Sequence, residues 1–351
     1  MKKIDRVLSV ETSCDDTSVA IVETGGRVIC QVSANQDLAH APFGGVVPEI
    51  ASRNHSVALL PLIQLALQKV NLQFNHIDGL AVTNRPGLIG SLIVGIMTIK
   101  SISQAYDIPM IGVNHLEGHL LAPFLKDDSY CPPENFDYPF VALAVSGGHS
   151  SLYWVTGLGN YSVIGTTKDD AAGEAFDKFA KMIGLNYPGG VLVDQNSKGG
   201  NPKKFDFPRS QILEDNLMFS FSGLKSSALR MVTKMTPEEI QINLKDLCAS
   251  FQEAIVDVLI KKTIVAAEKF NCRKVVITGG VSANSRLRQR AEDLSQSKQY
   301  QVVIPPLRYC TDNAAMIGYV GLLRLQRGER SDLSLGPSSQ LLESDFKFDL
   351  Q

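Results

Sequence analysis

The chain has 351 residues, 44% hydrophobic and 20% charged, with a net charge of −2. That length exceeds one ordinary core and predicts two domains, and the composition excludes a disordered chain. Near-neutral charge gives no global field toward nucleic acid, so any RNA contact must rest on local patches or on a partner. The apolar stretch from Pro86 to Ile99 is interrupted by Gly90, Ser91 and Gly95 and is too short for a membrane span. The start, Met1-Lys2-Lys3-Ile4-Asp5-Arg6, has no signal-peptide pattern, so the expectation is a cytoplasmic protein without a membrane anchor. Six cysteines, at 14, 30, 131, 248, 272 and 310, form no CxxC and read as reduced, mostly buried thiols.

In chain order, Val7–Val10, the polar turn Glu11–Thr17 and Ser18–Val22 predict a β-hairpin. Ile77–Val82 reads as a strand, Leu88–Tyr106 as a helix rich in small residues, Met110–Val113 as a strand and His115–Leu125 as a helix. Asp127–Asp137, with Pro132-Pro133, reads as a linker. A second hairpin follows: Val141–Val145, the turn Ser146-Gly147-Gly148-His149-Ser150, then Ser151–Val155. Two such hairpins about one domain length apart suggest a duplicated fold. Asp169–Ile183 reads as a helix stopped by Gly184 and the turn Tyr187-Pro188-Gly189-Gly190, and residues 191–235 read as irregular. Thr236-Pro237-Glu238-Glu239 is a helix start, with a capping-box threonine and an early proline. Helical pattern runs from there to about Phe270, Lys274–Thr278 is a strand, and Gly279–Asn284 leads into another helix. Thr311 is expected to cap a last helix ending near Gly328. Strands alternating with helices predict an α/β class.

Three groups of residues suit chemistry. His115 and His119, at i and i+4, share a helix face and can converge on one ion, against the alternative of two satisfied or exposed histidines. A third ligand must come from elsewhere, and spacing does not name it. Glu117 lies two positions from each histidine and points away, so this is not the HExxH of zinc proteases. Ser146-Gly147-Gly148-His149 lets backbone N–H groups approach a phosphate, and Thr278-Gly279-Gly280 through Asn284 is a second glycine-rich turn at a helix start. Ordinary turn formation, and helix capping by Ser282 or Asn284, are the competing readings. Neither loop matches GxGxxG or GxxxxGK[ST], and no GxSxG occurs. Asp169, Asp170, Glu174 and Asp177 put carboxylates on one helix, flanked by the small residues Ala171-Ala172-Gly173. Arg286, Arg288 and Arg290 add positive charge near the second loop; a solvated face is the plain reading for both sets.

In order, Glu11-Thr12-Ser13-Cys14-Asp15, Gly44-Gly45-Val46-Val47-Pro48-Glu49, His115-xxx-His119, Ser146-Gly147-Gly148-His149, Asp169 through Lys178, Tyr187-Pro188-Gly189-Gly190, Phe219 through Lys225, Gly279 through Asn284 and Thr311-Asp312-Asn313 resemble the tRNA N6-adenosine threonylcarbamoyltransferase family. This is the bacterial TsaD type, formerly called glycoprotease. The resemblance spans about residues 6–330. Its one small departure is Ser150, where threonine is common in the family.

The resemblance implies a two-lobed actin/Hsp70/sugar-kinase-like (ASKHA) fold built from duplicated RNase H-like domains, with a nucleotide and a divalent metal in the cleft. The expected division is an N-terminal lobe over 1–137, joined by the helix at 311–328, a C-terminal lobe over 138–310 with a helical insertion, and a tail over 329–351. It implies His115, His119 and Asp312 as metal ligands, with Fe2+ the usual metal and Zn2+ the alternative. It implies Ala144, Val145, Ser146, Gly147, Gly148, Asp177, Gly190 and Asn284 as residues binding the adenylate of an ATP- or AMP-type nucleotide. The implied reaction is transfer of the threonylcarbamoyl group from threonylcarbamoyl-AMP, supplied by a separate synthase, to N6 of the adenosine beside the anticodon. The implied partners are tRNA, a smaller paralogue (TsaB) and an ATPase (TsaE). The resemblance assigns no catalytic side chain. A small-molecule kinase of the same fold and a metal-dependent peptidase are the alternatives.

Overall fold

The structure is a computed structural model and describes residues 3–210, 216–297, 299–341 and 345–349. They divide into two compact units: a first unit of the described residues within 3–134 and 305–345, and a second unit of those within 135–304 and 346–349.

Each unit is organised by one sheet. In the first, β1 (Arg6–Glu11), β2 (Thr17–Glu23), β3 (Arg27–Ala34), β4 (Gly79–Arg85) and β5 (Met110–Asn114) lie in the order β3-β2-β1-β4-β5. In the second, β6 (Phe140–Val145), β7 (Ser150–Gly157), β8 (Asn160–Thr166), β9 (Lys274–Thr278), β10 (Gln301–Val303) and β11 (Lys347–Phe348) lie in the order β10-β9-β6-β7-β8-β11. Both sheets open with an antiparallel meander of three strands, and the first strand of each then pairs in parallel with a later one, β1 with β4 and β6 with β9. The shared order is the duplicated α/β architecture that the two hairpins predict.

Alternation along β1 assigns its faces. Leu8 and Val10 join a core with Leu59, Ile63 and Ala66 of the helix Pro48–Lys69 and with Leu92, Ile96 and Ile99 of the helix Ile89–Tyr106. Ser9 faces the other way, where its Oγ donates to Ala314 O at 2.6 Å, while the Ala314 N–H donates to Ser18 Oγ at 3.0 Å. The helix Ala314–Gln326 thereby seats on β1, β2 and β4. Its small residues permit the close approach: a Cβ on Gly318 would lie 2.6 Å from Ser9 Oγ and 2.8 Å from Val22 Cγ2, and one on Gly321 would collide with Ala81 Cβ. In the second unit Val141, Leu143 and Val145 pack with the helices Ala172–Met182 and Leu244–Lys269, where the rings of Phe179 and Phe251 stack 3.9 Å apart.

Several sequence expectations shift. The helix of the second unit begins at Ala172, so Asp169 and Asp170 precede it. Another segment takes up most of their bonding: Asp169 accepts from Ser220 Oγ, the Phe221 N–H, the Ser222 N–H and Ser222 Oγ, and Asp170 pairs with Lys225 there and with Lys178 of the helix itself. Residues 191–235, read as irregular, contain most of the helix Gly189–Ser197 and the helix Ser222–Val232; residues 211–215 lie outside the described ones. The last helix is capped by Asn313, whose Oδ1 accepts from the Met316 N–H at 3.1 Å, rather than by Thr311. Arg286 and Arg290 do not form a merely solvated face: both pair with Glu253, and Arg290 also with Asp257. After Gly328 the chain stays tied to the first unit, by the Ser331 N–H to Met110 O at 2.9 Å and by Arg85 gripping Asp345.

The seating of the last helix generates a stability prediction. Gly318→Val forces a branched side chain between Ser9 and Val22, and overpacking of this kind costs about 1–3 kcal/mol. The urea midpoint is expected to fall, whereas Gly280→Ala, whose Cβ meets nothing within 4 Å, is expected to leave it within error. Equal midpoints for both variants would show that the helix does not pack as described.

Candidate metal centre and glycine-loop site

The first unit gathers its chemistry at the ends of β1, β4 and β5. After Asn114 the chain enters the helix His115–Leu121, and the Asn114 side chain caps it by accepting from the Leu116 and Glu117 N–H groups. The i, i+4 spacing brings the rings of His115 and His119 edge to face, with centroids 4.7 Å apart, and both side chains are buried. Asp312 arrives from the turn before the last helix. Because Asn313 does the capping, the Asp312 carboxylate is free to turn inward: its Oδ1 lies 3.3 Å from His115 Nε2 and 3.1 Å from His119 Nε2. The ligand atoms of the three residues fall within 4.8 Å of one another. Two imidazoles and one carboxylate, aimed at a common point, are a donor set that could hold a divalent metal.

Glu11, at the end of β1, backs this cluster. It is fully buried and accepts from His115 Nδ1 at 3.0 Å, the Ser13 N–H at 2.5 Å and Thr83 Oγ1 at 2.5 Å. Ser13 Oγ also reaches His115 Nδ1, at 3.2 Å. Burial disfavours charge on His115, but the Asp312 and Glu11 carboxylates outweigh it and hold the imidazolium well above its usual range. Burial lowers His119 against the pull of Asp312, so His119 stays neutral more readily. Burial likewise opposes an ionised Asp312, and the two imidazoles overcome it and hold the carboxyl well below its usual range. Nearby, burial together with the Asp312 and Asp15 carboxylates pushes Asp16 up to about 7. The region therefore carries an excess of negative charge that one bound proton on His115 relieves only in part. A divalent cation at the three converging atoms fits that balance.

The same geometry removes a peptidase base. Glu117 is buried and engaged by Arg324 through Nη2 at 2.9 Å and Nε at 3.2 Å, facing away from the histidine pair. Spacing did not single out Glu11 and Ser13 as partners of His115; the polar turn at the end of the first strand was the available signal.

In the second unit the sequence-derived residues form a circuit of contacts. Ala144 and Val145 end β6, and Ser146–His149 turn the chain back, with the Ser146 N–H donating to His149 O at 2.8 Å. Gly173 lies so close under this turn that a Cβ would sit 2.6 Å from Ser146 O. Four residues on, Asp177 Oδ1 accepts from the Gly190 N–H at 3.1 Å, at the start of the helix Gly189–Ser197. Burial raises the Asp177 carboxyl above its usual range, and the N–H groups of Gly190 and Gly189 hold it back. Asp194, on that short helix, accepts from the Ser285 N–H and Ser285 Oγ at 3.2 and 2.7 Å. Asn284 caps the helix Ser285–Gln296 through Oδ1 and donates through Nδ2 to Gln252 Oε1 at 2.7 Å. Gly279, at φ +88°, closes the circuit against Val145, where any Cβ would strike the carbonyl oxygen.

The structure thus brings Ala144, Val145, Ser146, Gly147, Gly148, Asp177, Gly190 and Asn284 into one neighbourhood, though not in equivalent roles. The side chains of Asp177 and Asn284 bind other parts of the protein. Gly147 and Gly148 are exposed, and a Cβ on either meets nothing within 4 Å. Two helix N-termini, at Gly189 and Ser285, border the circuit and favour negative charge. Thr278 Oγ1 and Ser282 Oγ are buried there without a hydrogen-bond partner among the described residues. Asp194 and Ser285 were not predicted as site residues, because each acts through contacts between segments distant in sequence.

The chain matches the family model described as tRNA N6-adenosine threonylcarbamoyltransferase over residues 27–319. Curated relatives of that description include one from Bdellovibrio bacteriovorus, 65% identical over 344 residues that cover 98% of this chain and 100% of the relative. Another, from Anaeromyxobacter dehalogenans, is 48% identical over 96% of this chain and 99% of its own. Among solved structures, HypF from T. kodakarensis is similar with a TM-score of 0.61 at 12% identity, covering 93% of this chain and 48% of that one. Component A of the (R)-2-hydroxyglutaryl-CoA dehydratase of Acidaminococcus fermentans has a TM-score of 0.52 at 13% identity, covering 91% and 98%. At those identities the two structures share the fold alone. The two sheets of one topology, the site residues gathered within each unit, and relatives aligned along nearly the whole chain lead to one conclusion: the chain belongs to the tRNA N6-adenosine threonylcarbamoyltransferase family and is a transferase.

Proposed function

We propose that this enzyme transfers a threonylcarbamoyl group from threonylcarbamoyl-AMP to N6 of the adenosine beside the anticodon, in tRNAs that read codons starting with A. The N6 lone pair attacks the carbamoyl carbonyl carbon, the bond from that carbon to the phosphate oxygen breaks, AMP leaves, and the attacking amine loses a proton. The donor is already activated, so no ATP is spent at this step, and the enzyme contributes positioning and charge stabilisation. The observation that carries the reading is the convergence of His115, His119 and Asp312, backed by Glu11, in a chain of this family.

His115, His119 and Asp312 would hold one divalent metal. Two histidines and one carboxylate suit Fe2+, with Zn2+ the competing ion. When bound, such an ion supplies Lewis-acid charge to substrate oxygens. Glu11 fixes the His115 ring through Nδ1 and leaves Nε2 directed at the centre, the usual arrangement behind a metal-binding histidine. The exposed main chain of Ser146–Gly148 and the two helix N-termini would take the adenylate, with Asp177, Gly190 and Asn284 holding their geometry.

The partners in this reading are tRNA, a smaller paralogue (TsaB) and an ATPase (TsaE), in the cytoplasm, with a separate synthase supplying the adenylate. A protein partner is supported by exposed apolar residues on two packed helices of the first unit: Val57 and Leu60 on Pro48–Lys69, and Ile89, Ile93 and Met97 on Ile89–Tyr106. Ile89–Tyr106 is also long and apolar enough by composition to cross a membrane, but its Leu92, Ile96 and Ile99 pack into the core described above.

Three outcomes are expected. The double variant His115→Ala/His119→Ala is expected to drop metal content from about one ion per chain to near zero by elemental analysis, since each histidine supplies one protein ligand; full occupancy would make the pair structural. Gly148→Leu is expected to keep the wild-type melting temperature, because its Cβ enters open space. The same change is expected to weaken AMP binding about tenfold or more in calorimetry by blocking main-chain approach, and wild-type AMP affinity would put the nucleotide elsewhere. Finally, with partners, threonine, bicarbonate, ATP and a suitable tRNA, digestion and mass spectrometry are expected to find the modified nucleoside only when this chain is present, and to lose it with Asp312→Ala while tRNA binding persists. A yield that does not depend on this chain would defeat the assignment.

A further inference from the structure

The helical insertion of the second unit carries a basic groove that none of the chemistry above uses. The helix Ser222–Val232 buries Leu224, Ala228 and Val232 in the core. Its other side presents Ser227, Arg230 and Met231, and the chain continues through Lys234 and Met235 before the capping box at Thr236. With the half-buried Phe205, these residues line a groove of about 520 Å3. Its floor is aromatic and thioether; its rim is cationic.

The local charge departs sharply from that of the chain. Segments 198–209 and 222–236 hold Lys198, Lys203, Lys204, Arg209, Lys225, Arg230 and Lys234 against the single acid Asp206, whereas the whole protein has a net charge of −2. Three of these cations are committed: Lys204 to Asp246, Arg209 to Asp257 and Lys225 to Asp170. Lys198, Lys203, Arg230 and Lys234 are exposed and form no ion pair among the described residues. The acid at the groove, Glu239, is turned to its own helix cap, accepting from the Thr236 N–H at 2.8 Å.

We infer that this groove binds unpaired nucleotides of the RNA substrate, with Arg230 and Lys234 on phosphates and a base against Phe205 and Met231. The inference rests on the proposed tRNA substrate. Single-stranded RNA is gripped by cations along the backbone and by aromatic or soft apolar surface under splayed bases. In a protein without net positive charge, such contacts must be concentrated in a patch. Arg230 in the last turn of the helix and Lys234 in the turn just past its end provide that concentration beside an apolar floor.

The test uses the full assembly with its partners and a transcribed tRNA, measuring affinity by fluorescence anisotropy across a salt series. Arg230→Glu/Lys234→Glu is expected to weaken binding at least tenfold near 0.1 M salt. It is also expected to flatten the slope of log affinity against log salt by about one to two, the loss of roughly two phosphate contacts. Arg230→Lys/Lys234→Arg is expected to restore both. AMP affinity and melting temperature serve as folding controls, and Arg230→Gln/Lys234→Gln replaces the reversed pair if that pair fails them. Wild-type tRNA affinity and salt slope in a folded charge variant would overturn the proposal. So would a defect confined to partner-protein binding, which would make the groove a protein-docking surface. If the wild-type assembly modifies no tRNA, the proposed function itself fails; if it modifies tRNA and the charge variants bind as well as wild type, only the groove assignment fails.

Discussion

Burying Glu11 in the middle of the first unit imposes demands on everything around it. An ionised carboxylate taken out of water costs several kcal/mol unless donors surround it. Here the donors come from the turn after β1, from β4 through Thr83, and from the histidine helix. Those three attachments hold the turn, the strand end and the His115 ring in one arrangement. Asp312 then meets a histidine pair that is already oriented, and the negative charge that collects there makes a cation the natural completion of the site.

The duplicated topology puts a different solution at the matching place in the second unit. β6 ends in Val145 where β1 ends in Glu11, and the turn that follows is Ser146-Gly147-Gly148-His149 in place of a turn folded around a carboxylate. Where Thr83 reaches across from β4 to Glu11, Gly279, just past β9, lies against Val145 with no side chain at all. One unit fills the end of its first strand with buried charge. The other leaves exposed main chain, bordered by helix N-termini. A single strand order thus carries a donor set that could hold a cation in one copy and exposed main chain suited to an anion in the other.

Local patterns in the sequence revealed much of this. Hairpin alternation exposed the duplication, the i, i+4 spacing of His115 and His119 predicted their shared face, and the two-residue offset of Glu117 predicted that it points away, toward what proves to be Arg324. What stayed hidden depends on partners distant along the chain. Asp169 and Asp170 looked helical because their neighbours are, yet apart from the Asp170 pair with Lys178 their side-chain partners lie some fifty residues on, at Ser220–Ser222 and Lys225. Thr311 looked like a helix cap, but Asn313 takes that role and frees the intervening aspartate. Asn284 matched a binding position, while its side chain is spent on a cap and on Gln252. Propensity reads the residue; the competition among hydrogen-bond partners decides its use.

The helix that seats on β1, β2 and β4 is separated from them in the chain by residues 135–304, nearly all of the second unit. A ribosome adding roughly 5–20 residues per second needs on the order of ten to thirty seconds to pass from Glu134 to Pro305. Throughout that interval the emerged first unit has a sheet with one face uncovered and a histidine pair without its aspartate. The second unit is nearly contiguous and can reach its core during the wait. Nascent first-unit sheet is thus the species most exposed to misassembly or to premature capture of the wrong ion, and the centre closes only once the chain has passed Asp312.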